Sequence, residues 1–155
     1  MIFRTHIAFA SLIGFFVYFY NIIDNGILFF LFLFIGAGFP DIDHSKSKFG
    51  RNILSRIMSF FSDHRKIFHS LFFGAALAYL FFLYDKDAGA GFFLGFLSHV
   101  ILDSFTKQGI NFLYPLGKLK MKGFIKTGEM LETVLFYTLV VADVVLLSIK
   151  LSQSF

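Results

Sequence analysis

Five apolar runs separated by short polar segments dominate this chain, over residues 7–23, 26–39, 67–84, 88–102 and 133–149. A water-soluble fold of 155 residues has too much surface for its volume to hide them all. The composition agrees. Apolar residues make up 57% of the chain, 26 of them Phe, against about 45–50% in soluble domains, and the mean hydropathy is +0.74. The bilayer is where such runs belong. Several are shorter than the ~20 residues that cross ~30 Å of hydrocarbon, so their ends are expected to sink into protein or headgroups, or the bilayer to thin around them. The length suits a single domain, residues 1–155.

Tight polar turns at Asp24-Asn25-Gly26 and at Asp85-Lys86-Asp87-Ala88-Gly89 make the first four runs two hairpins, followed by a C-terminal span. The expected fold is therefore all-α and polytopic, with about five short transmembrane helices. Gly89, Ala90, Gly91, Gly95 and Ser98 in the fourth run would let that helix approach a neighbour closely. The first run follows Arg4 as a signal peptide would, but no small-residue cleavage pattern follows it, and it reads as an uncleaved span.

Charge sets the orientation. Of 14 Lys and Arg, only Lys86 and Lys150 fall on the odd-numbered side of this threading. The rest precede the first span or lie between spans two and three or four and five, which makes that face cytoplasmic by the positive-inside rule. The inner loops carry two further patterns. Within 51–61, Ile53, Leu54, Ile57, Met58 and Phe61 share one helical face, as in an interfacial helix on anionic lipid. Lys118-Leu119-Lys120-Met121-Lys122 alternates charge and apolar side chain, a stretch suited to snorkelling along the same surface. Solvated basic loops that only fix topology fit both patterns equally.

The chemistry-bearing residues gather on the same side. His6 opens span one, and Pro40-Asp41-Ile42-Asp43-His44 closes span two. His64 and His69 precede or open span three, His99 and Asp103 close span four, and Glu129 and Glu132 precede span five. The outer side has only Asp24, Asp85 and Asp87, with Asp143 inside span five. With no Cys in the chain, any metal must be held by imidazole, carboxylate or water. His99 and Asp103, four apart, share a helix face and can grip one ion. Pro40 favours a turn that presents carboxylates at a helix end. Singly, each feature also fits a polar helix stop or a packed His. Together, several imidazoles and carboxyls facing one cavity need a cation. Three or more His favour zinc, with manganese or iron as alternatives.

Thr5-His6, Pro40-Asp41-Ile42-Asp43-His44, His64-Arg65, His69-Ser70 and Gly95-Phe96-Leu97-Ser98-His99, continuing to Asp103, Thr106, Gly109 and Pro115, resemble the YdjM-type family of membrane-bound metal-dependent hydrolases. Gly128-x-x-x-Glu132 matches a late element of that family, so the resemblance covers about residues 4–132. It implies an all-helical metal site akin to zinc phospholipases C and related nucleases.

The expected site then comprises His6, Asp41, His44, His64, His69, His99 and Asp103 as metal ligands, with Asp43, Arg65 and Glu132 as catalytic or supporting groups. The ion would generate hydroxide from bound water. Asp43 would act as base or orient a ligand His, and Arg65 would clamp a phosphoryl oxygen. The expected function is hydrolysis of a phosphoester or phospholipid at the inner-membrane surface, with anionic headgroups as partners and no nucleic acid. The rival readings are a metal-ion transporter and a non-catalytic metal-binding membrane protein.

Overall fold

A computed structural model describes residues 1–41, 68–117 and 120–152. Among them are five α-helices and no strand: α1 (Phe3–Phe19), α2 (Gly26–Gly38), α3 (Leu71–Tyr84), α4 (Lys86–Ser104) and α5 (Met130–Ser152). A 3₁₀ turn, Phe39–Asp41, extends α2 through Pro40. Each apolar run is a helix. Two bounds shift with consequence, because α1 begins at Phe3 and α5 at Met130. His6, expected to open its span, thereby sits in the first turn of α1, and Glu132 joins the first turn of α5 instead of preceding it. The basic segment 51–61 lies outside the described residues. Of the alternating lysine stretch, Met121 pairs with Ile110 through two backbone hydrogen bonds of 3.0 Å.

The core is α4 seated on α2, running parallel to it. A Cβ on Gly91 would stand 2.3 Å from the Phe29 carbonyl oxygen, and one on Gly95 2.0 Å from that of Leu33. From the other side, a Cβ on Gly36 would stand 2.2 Å from the Phe92 oxygen. The two backbones are thus in contact, which only residues without a side chain permit. On the flanks of this seam, Phe92, Phe96 and Val100 pack with Ala78 of α3, and Phe29, Leu33 and Ala37 pack with Ala10 of α1.

The end of the bundle opposite the histidines is closed by caps. Asp85 accepts from the Asp87 and Ala88 N–H groups to start α4. Asp87, buried, accepts from the Asp24 and Asn25 N–H groups at the start of α2, where a carboxylate offsets the positive helix end. Lys150 at the far end of α5 donates to Asn21 Oδ1 at 3.0 Å.

α5 packs along α1 and is the one described helix long and apolar enough to cross a bilayer. α1, α2 with its 3₁₀ turn, and α3 are shorter apolar helices. The outward face of α5, with Val134, Tyr137, Val141 and Val145, is open.

Because the α2–α4 seam has no slack, Gly95→Ala should lower stability by about 1–3 kcal/mol through overpacking. Reversible unfolding in detergent micelles would read this, and an unchanged midpoint would refute backbone contact at Gly95.

Candidate metal centre

The α2–α4 register delivers the site. Phe29 faces Gly91 and Leu33 faces Gly95; one turn further on each helix, Ala37 faces His99. There the His99 Nδ1 lies 2.8 Å from the Ala37 carbonyl oxygen. That carbonyl is at the end of α2, where helices leave acceptors unmet. A carbonyl only accepts, so Nδ1 carries the hydrogen; with the ring neutral, as a metal ligand must be, Nε2 then presents a lone pair. A further turn on each helix brings Asp41 and Asp103 to the same place.

Nε2 of His99 lies 3.4 Å from Asp103 Oδ2 and 3.9 Å from Asp41 Oδ1. His69, just before α3, brings its Nε2 to 3.7 Å from Asp103 Oδ2. His6 on α1 brings its own to 3.3 Å from Asp103 Oδ1. The Met1 amine sits 2.6 Å from that same oxygen. The His6 and His99 rings stack at 3.8 Å, with 9° between their planes. Two ligand-competent triads result, His6–Asp41–His99 and His69–His99–Asp103, each with its donor atoms within 4.8 Å of one another.

Among the described residues, both nitrogens of His6 and the Nε2 of His99 are buried without a hydrogen-bond partner. The His99 lone pair facing a carboxylate is repulsive by itself, and a buried, unpaired polar atom is costly. A cation between them removes both penalties. Ligand atoms around a tetrahedral zinc stand about 3.3 Å apart, given metal–ligand bonds near 2.0–2.2 Å. The spacings to Asp103 are close to this. The donor set, imidazole plus carboxylate without thiolate, suits zinc, manganese or iron. The two triads share His99, whose Nδ1 is taken by Ala37, so they contend for one lone pair.

The structure thus brings together His6, Asp41, His69, His99 and Asp103. His44, His64, Asp43 and Arg65 lie outside the described residues. Glu132 does not face the centre. Its carboxylate accepts from Thr5 Oγ1 at 3.1 Å, from the Ile2 N–H and from the Gly128 N–H at 2.6 Å. Glu129, the other acid noted before the fifth span, is exposed and pairs with Lys126, whose hydrogen bond lowers the Glu129 carboxyl pKa below its ordinary value. The Ala37 carbonyl had no signature in the sequence, because its side chain takes no part.

The loop after α4 holds the cluster from below. Thr106 caps the end of α4 through the Asp103 carbonyl, at 2.7 Å from Oγ1. Gly109 takes φ +62°, with the Met121 carbonyl oxygen 2.1 Å from where a Cβ would stand. Ser70 Oγ donates to the Tyr114 carbonyl, and the Leu71 N–H to that of Phe112. These bonds fix the start of α3, and His69 with it.

The model of the YdjM inner membrane protein family matches residues 1–153. The chain belongs to that family. YvsG of Bacillus subtilis strain 168 is 37% identical over 114 residues, which span 70% of this chain and 71% of YvsG. The inner membrane protein YdjM of Escherichia coli K12 is 36% identical over 85 residues, 49% of this chain and 43% of its own length. An ORF4 protein of Methanothermobacter thermautotrophicus is 34% identical over 55 residues, 36% of this chain and 23% of its own. No solved structure matches. The YdjM family is thus an inner-membrane one, as the motifs from Thr5-His6 to Glu132 implied.

Zinc at 100 times its dissociation constant should stabilise the protein by about 2.7 kcal/mol, a midpoint rise of roughly 5–10 °C for this size. Chelator should reverse the rise, and His99→Ala should abolish it. A melting curve indifferent to zinc, manganese and iron would eliminate the metal centre.

Proposed function

We propose that this YdjM-family protein is a polytopic inner-membrane hydrolase that uses a divalent metal at the cytoplasmic face to cleave a phosphoester or phospholipid. The observation that carries the reading is the meeting of three imidazoles and two carboxylates at one bundle end, with buried nitrogens left unpaired among the described residues. Five helices threaded up and down support the multi-pass part. Lys86 and Lys150 at the far end, against the remaining twelve basic residues on the His side or in its loops, support the cytoplasmic orientation.

A divalent ion held here would supply Lewis acidity and bring the pKa of a coordinated water down to about 7. The chain's own residues do the rest. His99, oriented by Ala37, and His6, His69, Asp41 and Asp103 hold the ion. Asp43 is proposed as base or as an orienting carboxylate, and Arg65 as the phosphoryl clamp, with His44 and His64 as further ligands. Chain order puts them just after Asp41 or just before His69. The basic residues that the sequence places in the loops on the His side favour an anionic substrate at the leaflet surface.

Transport of the metal is the weaker reading. A transporter centres its site near the midplane, whereas apolar Phe29, Leu33, Phe92 and Phe96 fill the layers beneath this one.

With zinc or manganese bound, the purified protein should hydrolyse phosphodiester or phospholipid substrates. Asp103→Asn and His69→Ala should each lower turnover more than about 100-fold while leaving the helical fold intact. Metal binding with no hydrolysis of either class would reject the enzyme and favour a structural or transport site. Topology can be checked separately, since the chain lacks Cys. Lys120→Cys should react with an impermeant thiol reagent only from the cytoplasmic side, and Asp24→Cys only from the other. The reverse pattern would invert the orientation.

A further inference from the structure

We propose that Glu132 is a positioning residue for His6, and that Thr5-His6 and Gly128-x-x-x-Glu132 are the two halves of one clamp. This rests on reading His6 as a metal ligand, and it gives Glu132 a task other than catalysis. The first turn of α1 has no side-chain cap of its own at Ile2. Two donors there, one main-chain and one side-chain, are met from the other end of the chain. Glu132 Oε1 accepts from the Ile2 N–H and from Thr5 Oγ1, and Oε2 accepts from the Gly128 N–H. Glu132 is 1% exposed and Thr5 is fully buried, so water does not compete for these bonds. A carboxylate at a helix start also opposes the positive end of the helix dipole.

Gly128 supplies the third bond from a φ of +83°, a conformation that L side chains rarely adopt. Among the described residues, nothing lies within 4 Å of the Cβ it lacks. The glycine is therefore there for its backbone angle, which aims its N–H at Glu132, and not for space.

His6 depends on this clamp in a way that His99 does not. The His99 ring is held at Nδ1 by Ala37, whereas neither ring nitrogen of His6 has a hydrogen bond among the described residues. His6 keeps its place by stacking on His99, by the 3.3 Å approach of its Nε2 to Asp103 Oδ1, and by the placement of the turn that carries it. Thr5, its neighbour in that turn, is the side chain Glu132 grips. The absence of Thr5 or Glu132 should thus free His6 and leave His99 in place.

Carbethoxylation of the intact protein in micelles by diethyl pyrocarbonate, read residue by residue by mass spectrometry, separates these outcomes. In the wild type both rings should react slowly, being fully buried. In Glu132→Ala, His6 should react at least about 10-fold faster, with His99 unchanged. Thr5→Val, which keeps shape and removes one bond, should give a smaller rise. Glu132→Gln retains an acceptor for Ile2 and Thr5 and should restore most of the protection. Zinc affinity should fall about 10–100-fold in Glu132→Ala, with no further loss when His6→Ala is added. His6 and His99 rising together would mean general loosening and overturn the clamp, as would protection that all three variants leave unchanged. If the wild type binds no zinc, the metal reading falls, while the labelling still decides whether Glu132 positions His6.

Discussion

The seating of one helix backbone directly on another, α4 on α2, sets everything else in this molecule. Glycines at 36, 91 and 95 remove the side chains that would hold the axes apart. Contacts four residues apart on both helices then run down the seam in step. This register is chemically silent through its apolar turns and becomes functional at its end, where Ala37 meets His99 and both Asp41 and Asp103 approach the His99 Nε2. A slip of one residue along either helix would turn the ligands away from each other.

Around that seam the other elements deliver one group apiece. α1 brings His6, the segment before α3 brings His69, and the loop after α4 anchors that segment through Ser70 and Leu71. Asp103 is the meeting point, its two oxygens serving different neighbours: Oδ1 faces His6 and Oδ2 faces His69 and His99. The cluster lies where helix ends already leave backbone groups unmet, so polar side chains there cost less than they would in the apolar layers.

Much of this was legible in the sequence, for physical reasons that differ by element. The five apolar runs announce the five helices because hydrophobicity sustained over that length has few other outlets. Gly91 and Gly95 announce close packing because small residues one turn apart make a flat helix face. His99 and Asp103 announce a shared face by spacing alone. Other features depend on partners distant in sequence and leave no local trace. Glu132 reads as one more acid on the inner side until its bonds to Ile2 and Thr5 are seen. Asp87 reads as a turn residue, yet it is buried against the start of α2. Pro40 was informative in the expected way, since the 3₁₀ turn it belongs to carries Asp41 to the cluster.

The bond between His99 and Ala37 has an evolutionary consequence. The acceptor is a main-chain oxygen, so no exchange of side chain at position 37 can withdraw it. The tautomer of His99, and with it the direction of its free lone pair, is inherited from the spacing of two helices. Sequence drift can reshape the surroundings of this imidazole freely, provided it leaves the helix spacing alone.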